Sequence, residues 1–338
     1  MPALDPSRGV LRASGTTACG AVSLGDVSKC APARASSKPN PGPVSADVTA
    51  RIWQNAGRHS TAGGATLRGR VRFVGAGPGD PELITVRGLR ALQEADVVLY
   101  DSLVSPELLE GLRAELVHVG KRCGRHAMTQ EQINRLLVEL ALADKDVVRL
   151  KGGDPSVLGR VGEEILPLAE HGIEFEIVPG VSSATAVPAL AGIPVTHRDF
   201  ADSFTVATAH RRDEDGRYSI PPYQPRNTLV LLMAGATVPA WRTQLVALGY
   251  PADLPVAFVS AGCSPRERVL VTTVAQAERD FEAAALETPV LAVIGWVVGL
   301  RDSLGPYASS RSCSRSSSVS AMRRPIAACS TLGMTPDR

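Results

Sequence analysis

The pattern of apolar runs and amphipathic stretches predicts an α/β fold in the first half of the chain. Spaced apolar residues predict helices over 129–143 and 161–171, and Thr129 and Gln132 match a capping box at the start of the first. Short, continuous apolar runs predict buried strands at 71–74, 95–100, 146–150 and 175–178. Such strands alternating with helices are typical of a parallel sheet with helices on both faces.

A second set of elements follows Asp199. A helix is predicted over 238–248, with Gly249 as its stop signal. Apolar runs predict strands at 204–207, 228–232, 256–259, 269–271 and 289–294. We therefore predict two α/β lobes, covering 69–198 and 199–305.

The two ends of the chain differ from this pattern. The N-terminal extension, 1–68, is rich in Ser, Ala, Gly, Thr and Pro, and the tail, 306–338, is rich in Ser and Arg. Neither has a sustained apolar period, so both are predicted to be disordered. The N-terminal extension contains Arg and Ser and no Glu, which leaves organelle targeting open beside a cytoplasmic location.

Composition and charge exclude several classes of protein. Residues 71–305 carry 22 basic and 30 acidic side chains, although the whole chain has a net charge of +2. An acidic body argues against a nucleic-acid partner. No apolar stretch approaches the roughly 18 residues of a membrane span. The six cysteines contain no CxxC pair, so we predict neither a metal site nor a disulfide framework, and reduced thiols in the cytoplasm.

Three glycine-containing turns, at 75–81, 149–155 and 178–184, each follow a predicted strand. Ligands bind at the carboxyl ends of parallel strands, so these turns are candidate ligand contacts. The first departs from a dinucleotide fingerprint, because Asp80 replaces a glycine and two prolines remove N–H donors. Plain turns and helix capping by the serines of the third segment remain the alternatives.

Acidic and basic side chains indicate a reaction on an anionic substrate. Asp101 lies at the end of a predicted strand, and its carboxylate is a candidate general base. Several cationic clusters in an acidic body suit an anionic substrate, with a solvated surface as the alternative. The cationic candidates are Lys121, Arg122, Arg125, His126, His197, Arg198, His210 and Arg211.

In this order the segments resemble the tetrapyrrole methylase family over about 70–305. The resemblance rests on VGAGPGDPELIT, YDSLVSPELL, VGKRCGRH, VVRLKGGDP, VPGVSSA and AGIPVTHRD. It implies two α/β lobes with an S-adenosylmethionine cleft between them, and a homodimer. The second and third segments are most similar to members that methylate uroporphyrinogen III twice, giving precorrin-2 for sirohaem or cobalamin.

The resemblance also implies roles for individual residues. Asp101 would be the proton acceptor and Lys121 the proton donor, and the other cationic candidates would clamp the substrate carboxylates. The implied cofactor contacts are Pro78, Gly152, Gly153, Asp154, Val157, Ser182, Ser183, Met233 and Gly262.

Three alternatives stay open. Ser156, Leu158 and Val161 stand where the family usually has two Phe and one Gly, which leaves a non-catalytic S-adenosylmethionine-binding protein as one alternative. A methylase of a later corrinoid intermediate is the second. A nicotinamide-dependent dehydrogenase is the third, because Asp101 follows the first glycine turn by about the 20 residues that a ribose-binding acid requires.

Overall fold

A computed structural model describes residues 69–120, 128–210 and 218–303. The segments predicted to be disordered, 1–68 and 306–338, lie outside the described residues. The basic candidates Lys121, Arg122, Arg125, His126 and Arg211 also lie outside them.

The first sheet is parallel, as the sequence predicts. Its strands are β1 (Val71–Gly75), β2 (Val97–Tyr100), β3 (Glu115–His118), β4 (Val147–Lys151) and β5 (Phe175–Val178). Their order is β3-β2-β4-β1-β5, and each neighbouring pair runs in the same direction. All five carboxyl ends therefore lie at one edge of the sheet, which we call the carboxyl edge of the first sheet.

Three helices cover the two faces of this sheet: α1 (Val86–Glu94), α2 (Gln130–Leu142) and α3 (Val161–Glu170). A fourth helix, α4 (Ser183–Leu190), follows β5. The predicted capping box starts α2: Gln132 N donates to Thr129 Oγ1 at 3.2 Å, and Thr129 N donates to Gln132 Oε1 at 2.8 Å. Leu137 and Leu168 are buried with β1 on the face that α2 and α3 cover, and Leu92 is buried on the opposite face.

The second sheet is mixed. Its strands are β6 (Ser203–Thr208), β7 (Asn227–Leu232), β8 (Pro255–Ser260), β9 (Arg268–Thr273) and β10 (Val290–Ile294), in the order β6-β7-β10-β8-β9. β6 and β7 are parallel, whereas the other neighbouring pairs are antiparallel. Hence β6, β7 and β8 share one direction, and their carboxyl ends form the carboxyl edge of the second sheet.

Three helices accompany the second sheet: α5 (Val238–Ala247), α6 (Ala277–Ala284) and α7 (Leu300–Ser303). Trp241 and Phe258 are fully buried on one face of the sheet, with ring centroids 5.8 Å apart. In the part of the chain that the structure describes, each helix is too short or too polar to span a membrane.

Helix α4 links the two sheets. It follows β5 of the first sheet, yet its Val187 is buried in one cluster with Val230 and Ala257 of the second sheet. The α/β class predicted from the sequence is confirmed, and it comprises two five-stranded sheets.

Candidate ligand-binding and active site

Three loops at the carboxyl edge of the first sheet pack directly on one another. Gly77 N donates to Gly153 O at 3.2 Å, and Gly153 N donates back to Gly77 O at 2.7 Å. Both glycines have left-handed backbones, with φ of +79° and +67°. A Cβ on Gly180 would lie 2.3 Å from Gly153 O, so only glycine fits there. The three glycine-containing segments of the sequence therefore form one continuous backbone surface.

The Asp154 side chain ties two of these loops together. Its Oδ2 accepts a hydrogen bond from Gly180 N at 2.9 Å, and its Oδ1 accepts one from Ser156 N at 2.7 Å. Both carboxylate oxygens thus bind backbone N–H groups within the protein. The geometry favours a loop-fixing function for Asp154 over the direct ligand contact that the resemblance implies.

Replacing Asp154 by Asn tests this function. An amide offers one acceptor oxygen and turns an NH2 group toward the second backbone N–H, so one charged hydrogen bond is lost and a donor is left unpaired. We expect the free energy of unfolding in urea to fall by about 2 kcal/mol. Asp253→Asn, at an exposed turn before β8, is the control and should leave it unchanged. Equal stability of the two variants would rule out the loop-fixing function.

The turn after β1 is built differently from a dinucleotide cradle. Asp80 Oδ1 accepts from Glu82 N at 2.9 Å and caps a single 3₁₀ turn, Pro81–Leu83. The next helix, α1, starts after Thr85, whose hydroxyl accepts from Gly88 N at 3.0 Å. The glycine turn therefore does not run into a helix whose N–H groups face a pyrophosphate. This arrangement argues against the dehydrogenase alternative.

The start of α4 completes the surface around Gly153. Ser182 is the N-cap of this helix, and its Oγ accepts from Ala184 N at 3.2 Å. A Cβ on Gly153 would lie 3.6 Å from Ser183 N and 3.8 Å from its Oγ. Val157 packs against the core that α4 shares with the second sheet. Ser182 thus has the capping function, while Ser183 lies beside the backbone of Gly153.

The carboxyl edges of the two sheets meet at the glycine turn. Pro78, which is half-buried, precedes Gly79, and a Cβ on Gly79 would lie 3.4 Å from the carbonyl oxygens of Gly262 and Cys263 in the loop after β8. Gly262 in turn abuts α4, because a Cβ there would lie 2.4 Å from Val187 Cγ1. Candidate residues from both sheets therefore lie along one border, where the loops at the two carboxyl edges meet. We call this border the rim.

Large apolar side chains stay exposed on the loops at these edges. Met233, directly after β7, is 50% exposed and has a left-handed backbone with φ of +58°. Leu158 is 45% exposed with φ of +53°, and Leu103, beside Gly152, is 61% exposed. Left-handed backbones in residues other than glycine cost free energy and cluster at ligand sites. Exposed apolar groups in such a place are typical of a ligand-binding surface.

Asp101 follows β2 at the same edge and faces a buried charged cluster that the sequence analysis missed. Arg149 Nη2 lies 3.9 Å from Asp101 Oδ2, and Arg149 Nε lies 3.3 Å from Glu164 Oε2. Lys151 Nζ donates to Glu164 Oε1 at 2.7 Å, and Gln130 Nε2 donates to the same oxygen at 3.2 Å. One sequence feature could have revealed this cluster: Arg149 and Lys151 lie two positions apart in a strand whose other residues are apolar.

The cationic candidates do not form one group. His197 and Arg198 precede β6, where His197 N donates to Ala201 O at 2.9 Å. His210 follows β6, at the carboxyl edge of the second sheet. The six residues of β6 span about 20 Å, so these two sets lie at opposite ends of the strand. Of the described cationic candidates, only His210 follows a strand at a carboxyl edge.

Comparisons with known proteins extend this description. The chain is 48% identical over 241 residues to a siroheme synthase from Azotobacter vinelandii, an alignment that covers 70% of this chain and 52% of that protein. The chain therefore spans about half the length of the curated relatives it matches.

Two solved structures from Thermus thermophilus are similar over most of their length. A uroporphyrin-III-C-methyltransferase is 41% identical with a TM-score of 0.60, covering 70% of this chain and 96% of that one. A second structure of that enzyme, complexed with S-adenyl homocysteine, is 40% identical with a TM-score of 0.56, covering 69% and 94%.

The family model for Tetrapyrrole (Corrin/Porphyrin) Methylases matches residues 70–278, a range that holds most of both sheets and every strand end that forms the rim. Together with the sequence identity to the relatives above, this match shows that the chain belongs to the tetrapyrrole methylase family.

Proposed function

We propose that the chain transfers methyl groups from S-adenosylmethionine to two carbons of uroporphyrinogen III in succession, giving precorrin-2. The observation that carries this proposal is the shared rim: the loops that hold Asp101 and Gly153 lie at the edge where Gly79 abuts Gly262 of the second sheet. The Thermus thermophilus enzyme of that title, and its complex with S-adenyl homocysteine, support the substrate and the cofactor.

The residues at the rim fit an adenosyl ligand. Gly152 and Gly153 present backbone without side chains, and the Ser183 hydroxyl lies beside Gly153. The exposed side chain of Met233 and the partly buried side chain of Val157 offer apolar surface for a purine ring and for the methylene groups of the cofactor. These residues would hold S-adenosylmethionine, which supplies an electrophilic methyl group on a positively charged sulfur.

The chain's own groups then have two tasks. The first is to align the reacting pyrrole carbon with the methyl group, which the packed glycine loops do by fixing the backbone around the site. The second is to accept the proton that the methylated ring system releases, a task for Asp101 at the end of β2. Lys121 follows Gly120 in sequence and stays the proposed proton donor.

The substrate's carboxylates require cations around this rim. His210 lies at the carboxyl edge of the second sheet, and Arg211 follows it in sequence. Arg122, Arg125 and His126 follow β3 in sequence. His197 and Arg198 lie at the other end of β6, so we assign them a lesser share of the clamp. The homodimer stays a prediction from the resemblance.

Transfer of an isotopically labelled methyl group tests the proposal against its alternatives. The purified chain is incubated without oxygen with labelled S-adenosylmethionine and either uroporphyrinogen III or precorrin-2. Label in the uroporphyrinogen III sample alone supports the proposal. Label only in the precorrin-2 sample assigns the chain to a later corrinoid step. Calorimetric binding of S-adenosylhomocysteine without label in either sample identifies a non-catalytic binding protein.

A further inference from the structure

The carboxylate of Glu164 lies at the centre of the buried cluster behind Asp101. One of its oxygens binds Lys151 and the other lies against Arg149, and the Glu164 side chain is only 1% exposed. Arg149 and Lys151 are two positions apart on β4, so both point to the sheet face that α3 covers. A single buried carboxylate thus faces two buried cations.

Arg149 lies between Glu164 and Asp101. Its Nη1 donates to Leu150 O at 3.1 Å, and its Nε forms an ion pair with Glu164 Oε2 at 3.3 Å without hydrogen-bond geometry. Its Nη2 stops 3.9 Å from Asp101 Oδ2, which is beyond hydrogen-bonding distance. Asp101 Oδ1 accepts from Leu103 N at 3.0 Å, and its side chain is 27% exposed. Within 69–120, 128–210 and 218–303, Asp101 Oδ2 therefore has an ion-pair contact with Arg149 and no hydrogen bond from it.

The attraction between Arg149 and Asp101 would close this gap if nothing opposed it. Arginine and carboxylate groups form short, charged hydrogen bonds, and a shift of about 1 Å would make one here. Glu164 is the competing carboxylate on the other side of the guanidinium. Burial and the charge of Arg149 lower the pKa of Lys151, and Glu164 opposes this shift more strongly than Asp101 does, through its charge and its hydrogen bond.

We infer that Glu164 is a positioning residue: it holds Arg149 back from Asp101, so that Asp101 keeps an oxygen for the substrate proton. This inference rests on the proposed function of Asp101. It assigns the buried cluster a part in methyl transfer without any contact between Glu164 and the substrate.

Two substitutions at Glu164 separate positioning from packing. Glu164→Gln keeps the shape and removes the charge, whereas Glu164→Asp keeps the charge and leaves a gap. We expect kcat to fall about 100-fold in Glu164→Gln and less in Glu164→Asp, with an unchanged KM for S-adenosylmethionine. Glu163→Gln, on the exposed side of α3, is the control and should retain activity. A packing role predicts the reverse order, which would overturn the inference.

Crystal structures provide a readout that does not depend on turnover. In Glu164→Gln we expect Arg149 Nη2 to move to about 3 Å from Asp101 Oδ2. An unchanged separation would overturn the inference even if kcat falls. If the wild-type chain methylates no tetrapyrrole, the proposed function fails, but this distance still decides what Glu164 does to Arg149. If Glu164→Gln does not fold, the variant with Lys151→Met added removes the unpaired ammonium and is expected to show the same movement.

Discussion

Asp101→Asn is expected to slow methyl transfer by about 100- to 10,000-fold, the range that general acid–base catalysis contributes. Asparagine has nearly the same size, and its side-chain oxygen still accepts from Leu103 N, a bond of 3.0 Å in the wild type. An amide, however, does not accept the proton that the methylated ring system must lose. The loss should therefore appear in kcat, while the affinity for S-adenosylhomocysteine stays the same.

Asp96→Asn is a matched control for this variant. Asp96 lies at the amino end of the same strand, β2, and also accepts one backbone hydrogen bond, from Asp146 N at 2.9 Å. We expect its kcat to equal that of the wild type. Turnover by Asp101→Asn within tenfold of the wild type would remove Asp101 from the proposed proton transfer. Loss of S-adenosylhomocysteine binding in that variant would instead indicate a structural function.

Gly180→Ala is expected to lower the free energy of unfolding by about 3 kcal/mol and to weaken S-adenosylhomocysteine binding. The added Cβ would lie 2.3 Å from Gly153 O and 2.7 Å from Gly75 Cα. These atoms are backbone, so a rotamer change does not relieve the overlap and the loops must separate. Their separation also strains the hydrogen bond from Gly180 N to Asp154. Urea denaturation and calorimetry measure the two effects.

Gly162→Ala is the control for this experiment. A Cβ on Gly162, in α3, would have no heavy atom of the described residues within 4 Å, apart from its chain neighbours and the backbone of its own helix. Alanine is the better helix former, so we expect this variant to be as stable as the wild type or up to about 1 kcal/mol more stable. If Gly180→Ala is equally stable, the three loops do not pack as described.

The sequence predicted most elements of the first sheet because their signals are local. Continuous apolar runs marked β1, β2, β4 and β5, and the capping box marked the start of α2. It missed β3, an edge strand of four residues with two exposed positions, and α6, a helix of eight residues whose apolar face rests on Ala277 and Phe281. Strand direction in the second sheet was not predictable from these patterns, because apolar runs carry no information about which strands become neighbours.

The candidate site was predictable as far as it follows from strand ends. The glycine turns and Asp101 lie at one edge because the strands that precede them are parallel. The separation of His197 from His210 follows from the intervening strand, which the sequence had predicted. The double hydrogen bond to Asp154 and the pairing of Glu164 with Arg149 and Lys151 depend on tertiary packing, so the sequence did not predict them.

The mass of the tetrapyrrole product tests the central claim most directly. The purified chain is incubated without oxygen with S-adenosylmethionine and uroporphyrinogen III, and samples are taken over time for mass spectrometry. The proposed function predicts a product that has gained two methyl groups, preceded by one that has gained a single methyl group. Recovery of the unmodified tetrapyrrole from a protein that binds S-adenosylhomocysteine would contradict it.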